Sequence, residues 1–160
     1  MQKRATCQNT GVHHVGLFAK DPAASAQFYH DVLGMQIVGG SGADYPLGAT
    51  AFLCSRPAEE SHEIALFANP AFQHFAFKVS SLVELRRIHA RVLARNLTVK
   101  HAFNHGVSIA FYFDDPDGNM IEVYYPTGKP DSYRQPYAVP IDLTQPDEVL
   151  LQQVGVGAGT

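Results

Sequence analysis

The chain has 160 residues, of which 46% are hydrophobic and 17% charged, and a formal charge of −3 at pH 7. That composition fits one globular domain with a buried core and excludes a disordered polypeptide. The weakly acidic balance gives no footprint for nucleic acid or an anionic membrane, and the longest apolar runs fall far short of a bilayer span.

Residues 1–10 read as a flexible lead; no apolar stretch follows the basic Met1-Gln2-Lys3-Arg4, so no secretory signal is expected. Cys7 and Cys54 make neither a metal spacing nor a disulfide framework, and the expectation is a soluble cytoplasmic protein. The first strand is Val12–Phe18. Alternation sends Val15 and Leu17 to one face and His14, Gly16 and Phe18 to the other. A slip of one residue would exchange His14 with His13. A helix follows from Asp21-Pro22 to Gly34, with Asp21 as N-cap, Pro22 in the first turn, Gly34 as the stop, and Phe28, Val32 and Leu33 as its apolar face. Three short apolar segments come next, among them Ala51-Phe52-Leu53 and the stretch "SHEIALF" that holds His62 and Glu63.

The pattern then repeats. A second strand, Phe72–Val79, carries His74, and a second helix opens on the capping box Ser81…Glu84, with Leu82, Leu85, Ile88 and Val92 at helical spacing. His30 and His89, near helix C-termini, and His101, in an expected loop, are read as structural. From His105 to Tyr125 the chain reads as two strands joined by the turn Asp114–Asn119. The offset between copies is 60 residues: His14 falls on His74, Phe28 on Ile88, Leu33 on Leu93 and His62 on Glu122. The predicted fold is therefore α+β, two tandem βαβββ modules (residues 11–68 and 69–127) forming a cupped mixed sheet with helices on its outer face. Residues 128–160 form a C-terminal extension with a short helix near 145–153 and a disordered end.

If helices cover one face, His14, His62, His74, Tyr112 and Glu122 converge on the other. Glu122 lies in the apolar run Met120–Tyr124, where a carboxylate needs a cation or an ion-pair partner. Lys78 is the alternative partner; a metal is the favoured one. Two imidazoles and one carboxylate on one side of a metal leave open positions and suit non-heme Fe(II). Against this, His62 also reads as a surface histidine, His105 as a loop histidine and Tyr112 as a core tyrosine. Tyr124 reads as a pocket wall, with Phe18, Phe52 and Ile64 marking an apolar aromatic pocket.

These residues resemble the vicinal oxygen chelate superfamily, whose paired βαβββ modules cup a metal. Within it, "HGVSIAFYFDDPDGNMIE" resembles the signature of type I extradiol ring-cleavage dioxygenases at His105, Phe111-Tyr112, Asp115-Pro116, Gly118 and Glu122. Phe103 departs from that pattern, which usually has a smaller or polar residue two positions before the histidine. The resemblance implies His14, His74 and Glu122 as metal ligands, Fe(II) or alternatively Mn(II), with O2 as co-substrate. It implies His62 as acid–base catalyst and His105 and Tyr112 as partners of the hydroxyls of a small aromatic diol. A possible homodimer is a further expectation. Two rivals remain: a glyoxalase- or isomerase-type enzyme using Ni, Co or Zn with Glu63 as a fourth ligand, and a metal-free protein that sequesters aromatic antibiotics.

Overall fold

Local capping chemistry sets both long helices. In the computed structural model, which describes residues 9–128 and 136–156, the first helix α1 runs Pro22–Leu33. Its N-cap Asp21 accepts the Ala24 N–H, and Gly34 closes it in the left-handed region at φ 70°. The second helix, α2, runs Leu82–Ala94, and Ser81 Oγ accepts the Glu84 N–H at 3.2 Å. The reciprocal half of the expected capping box is missing, because the Glu84 carboxylate is turned to the Arg87 guanidinium.

The strands are β1 (Asn9–Phe18), β2 (Gln36–Ser41), β3 (Thr50–Cys54), β4 (Ile64–Phe67), β5 (His74–Val79), β6 (Val99–Asn104), β7 (Ser108–Asp114), β8 (Met120–Pro126) and β9 (Val139–Pro140). They make one curled sheet in the order β2-β3-β4-β1-β5-β8-β7-β6-β9. Each βαβββ unit closes by pairing its first and last strands in parallel, β1 with β4 and β5 with β8, and the two units meet along the antiparallel pair β1–β5. This is the α+β architecture expected. The strand at Asn9 begins inside the expected lead of residues 1–10. Residues 1–8, and the end expected to be disordered beyond Val156, lie outside the described residues.

Alternation divides the strands as period two requires. Ile109, Phe111 and Val123 face outward into a core with Leu82, Leu85 and Val92 of α2. The C-terminal helix α3 (Asp147–Val156) completes that core with Leu150 and Val154. Ala110, Tyr112 and Tyr124 face inward. Module one differs from expectation: Phe28, Val32 and Leu33 are 59%, 60% and 64% exposed, and α1 packs through Ala26, which is 1% exposed, against Ala51, Leu53 and Leu66. α1 thus presents a small side chain to the sheet and its bulky residues to the outside. Among the described residues no helix is long and apolar enough to cross a membrane.

Candidate metal centre

The concave face gathers the inward residues of β1, β5 and β8. His14 Nε2 lies 3.0 Å from Glu122 Oε2, His74 Nε2 lies 3.2 Å from the same oxygen, and the two Nε2 atoms are 3.3 Å apart. All three side chains are at most 7% exposed. His74 Nδ1–H donates to the Phe72 carbonyl at 2.7 Å, which leaves the Nε2 lone pair aimed at the other two donors. Three electron-pair donors this close repel one another unless protons or a cation lie between them. Metal–ligand bonds of about 2.1 Å at right angles put donor atoms about 3 Å apart, the spacing found here. The three residues therefore fit a divalent ion.

The charges around the cluster follow. Burial works against ionising Glu122, but His14 and His74 beside it hold its carboxyl well below the usual range. Burial likewise opposes a charge on His74, and the contact with Glu122 overcomes it and raises the imidazole's pKa. Lys78 is not Glu122's partner: its ammonium pairs with Glu60 Oε1 at 2.6 Å, and His13 Nδ1 lies 3.4 Å from the same atom. The register of β1 is irregular between Val12 and His14, and His13, engaged by Glu60, is not among the three converging donors.

The remaining expected residues surround the donors. The His62 ring sits 4.4 Å from that of His14 and lines the same pocket, and Ser61 Oγ lies 3.1 Å from its Nδ1. Glu63 turns away, accepting from Ser55 N–H at 2.6 Å and from Arg56 Nε and Nη2 at 3.1 and 2.9 Å. Those contacts bring its carboxyl down to about 2 although burial opposes this. Burial, reinforced by His14, depresses the His62 imidazole well below its ordinary value. Burial also lowers His105, and it raises the Tyr112 hydroxyl with the help of the Glu122 charge.

His105 and Tyr112 form a pair whose polarity is fixed from outside. The Tyr137 carbonyl can only accept, so His105 Nδ1–H donates to it at 2.6 Å. The neutral Nε2 is then an acceptor, and Tyr112 O–H donates to it at 2.9 Å. Tyr137 belongs to a strap, residues 136–140, that crosses the cup: Tyr45 O–H donates to the Pro136 carbonyl at 3.1 Å, and β9 pairs with β6. Sequence reasoning missed this backbone acceptor, which no side-chain pattern encodes. It also placed His101 in a loop, whereas His101 is on β6 and stacks on Phe103 at 5.4 Å.

Gly16 was missed as well. It faces His74 across β1–β5, and a Cβ there would sit 2.5 Å from His74 Cε1 and Nδ1 and 3.0 Å from the Phe72 carbonyl oxygen. The Gly16→Ala chain is expected to fold, by circular dichroism, but to hold a divalent metal about 10–100-fold more weakly, the usual cost of disturbing a ligand's support. Calorimetric metal titration reads this directly, and an unchanged affinity would remove Gly16 from the supporting role.

Residues 11–123 match the model of the family described as the Glyoxalase/Bleomycin resistance protein/Dioxygenase superfamily. The chain is 30% identical over 122 residues to Biphenyl-2,3-diol 1,2-dioxygenase 3 of Rhodococcus globerulus, covering 69% of this chain and 60% of that protein. It is 28% identical over 120 residues to Catechol-2,3-dioxygenase of Bacillus subtilis strain 168, covering 73% of this chain and 42% of that one. Thus the chain spans 60% and 42% of the lengths of these curated relatives. Among solved structures it is similar to the Mn(II)-bound glyoxalase from Novosphingobium aromaticivorans, with a TM-score of 0.60 and 26% identity over 74% of this chain and 39% of that one. With the matched segment spanning both βαβββ units, the chain belongs to the Glyoxalase/Bleomycin resistance protein/Dioxygenase superfamily.

Proposed function

We propose that this protein is an extradiol dioxygenase that opens the ring of a catechol-type aromatic diol with O2, using Fe(II) held by His14, His74 and Glu122. The observation that carries the reading is the company those donors keep. His62, His105 and Tyr112 line the same pocket, each within reach of a ligand placed at the donor cluster. Similarity to two diol dioxygenases supports it.

When bound, the ion would supply Lewis acidity toward the diol oxygens and a place for O2. The protein's own groups do the rest. Tyr112 donates to His105 Nε2, so its oxygen is left free to accept a hydrogen bond from a diol hydroxyl. Burial keeps His62 neutral near pH 7, ready to take up a proton at a ring nitrogen and return it later. Pro136, Tyr137 and Ala138 roof the pocket and limit the access of water. Glu63, held by Ser55 and Arg56, is not available as a fourth donor, which weighs against the isomerase-type reading. The converging donors weigh against metal-free sequestration of aromatic ligands.

Anaerobic Fe(II) reconstitution followed by a panel of catechols in air tests the proposal. The expected result is the yellow ring-opened product, absent without iron. A silent panel, with turnover of the methylglyoxal–glutathione adduct instead, would move the assignment to isomerase chemistry.

A further inference from the structure

A second and larger chamber adjoins the metal pocket, and its lining bears on what the diol carries. The pocket around the three donors has a volume of about 70 Å³, less than half of the ~150 Å³ that encloses benzene in an apolar protein cavity. A ring whose hydroxyls reach the donors must therefore extend out of it. The adjoining chamber measures about 310 Å³ and shares His74, His105 and Tyr112 with the inner pocket. That is roughly two benzene-sized spaces.

The chamber's walls are Leu47 and Phe67 from module one, Phe72, Phe103 and Met120 from module two, and Ala138 from the strap. Among the described residues that line it there is no Lys, Arg, Asp or Glu. Lys100, which lines a neighbouring groove together with Met120, is paired with Asp114 at 2.9 and 3.0 Å. Phe103 is held as a flat wall, with its ring at 16° to His101 and its ring centroid 6.1 Å from that of Tyr112. It is also the one position at which this chain departs from the extradiol signature. Ala138 lies beyond residues 11–123, so that wall comes from outside the segment that matches the family.

We infer that the chamber receives an apolar substituent on the diol, an aryl ring above all, and rejects one bearing a carboxylate, with Phe103 as the specificity-determining wall. The inference rests on the ring-cleavage reading for the placement of the diol. An aryl group gains by leaving water for this lining, whereas a carboxylate would lose its hydration without finding a cation among the described lining residues.

The test is anaerobic calorimetric titration of the Fe(II)-loaded protein with catechol, biphenyl-2,3-diol and a catechol carrying an acetate side chain, followed by turnover in air. Biphenyl-2,3-diol is expected to bind at least about tenfold tighter than catechol, and the carboxylated diol more weakly than catechol. Phe103→Ala should cut the aryl-to-catechol affinity ratio about tenfold. Met120→Lys, which places a cation at the chamber edge, should reverse the order of the aryl and carboxylated diols. Equal or tighter binding of the carboxylated diol by the unsubstituted protein would overturn the inference, as would an unchanged ratio in Phe103→Ala. The two readings fail separately. Tight aryl binding with no ring opened sinks the dioxygenase proposal and leaves the chamber's preference standing, whereas ring opening with no aryl preference does the reverse.

Discussion

Glu122→Gln is expected to leave the protein folded and without metal. The substitution keeps the side chain's volume and one oxygen at a position 3% exposed, and it removes the charge that draws the two imidazoles together. With the carboxylate gone, two neutral histidines face a divalent ion alone, and nothing offsets its charge in a buried site. Metal affinity should fall by more than about 10²-fold, beyond what is lost when only a supporting hydrogen bond is removed. Ring cleavage should fall with it to background. Metal content after dialysis measures the first effect, and melting with and without added Fe(II) measures it again through linkage. The wild-type melting temperature should rise with metal, while that of the variant stays flat. If the variant retains a stoichiometric ion after dialysis, Glu122 is not a ligand.

The second large effect belongs to His62. Removing a positioned proton acceptor costs about 10²–10⁴ in turnover, and His62→Ala should lose kcat within that range while metal content and diol affinity change little. Its pH dependence is the sharper readout. Burial, with His14 adding to it, lowers the His62 pKa, so the ring stays neutral as pH falls through 6.5 and charges only at a lower pH. His105 is lowered in the same direction, again by burial first. On the ring-cleavage proposal, the acid limb of kcat/KM in the unsubstituted protein should therefore lie below 6.5, and exogenous imidazole should restore part of the rate in His62→Ala. A variant with full ring-cleavage rate would remove the proton-transfer role.

The parts of this molecule legible in the sequence are those governed by short-range chemistry. Asp21, Gly34 and Ser81 mark helix ends because a cap needs only a side chain and the next turn. His14, His74 and Glu122 could be placed on one face because strand alternation is local and the repeat supplies the register. What was hidden depends on neighbours distant in the chain. Which face of α1 is buried depends on the strands it meets, and Ala26, not the bulkier residues, is the one packed with Ala51 and Leu53 of β3. Gly16 matters only because β5 brings an imidazole against it. Tyr137 acts through its carbonyl, and every residue has one. Choosing between His62 and Glu63 needed the 60-residue offset, and the contacts of Glu63 with Ser55 and Arg56 show why one of the two neighbours is already engaged elsewhere.

Among the described residues, the antiparallel pair β1–β5 is the one β-ladder that joins the two βαβββ units. His14 hangs on one side of it, and His74 and Glu122 on the other. A fragment containing a single unit would hold at most two of the three donors, so chelation reports that both halves of the polypeptide have docked. An ion seated there acts as a rivet across the joint, and the free energy it adds goes to the weld between the halves more than to either half's own interior.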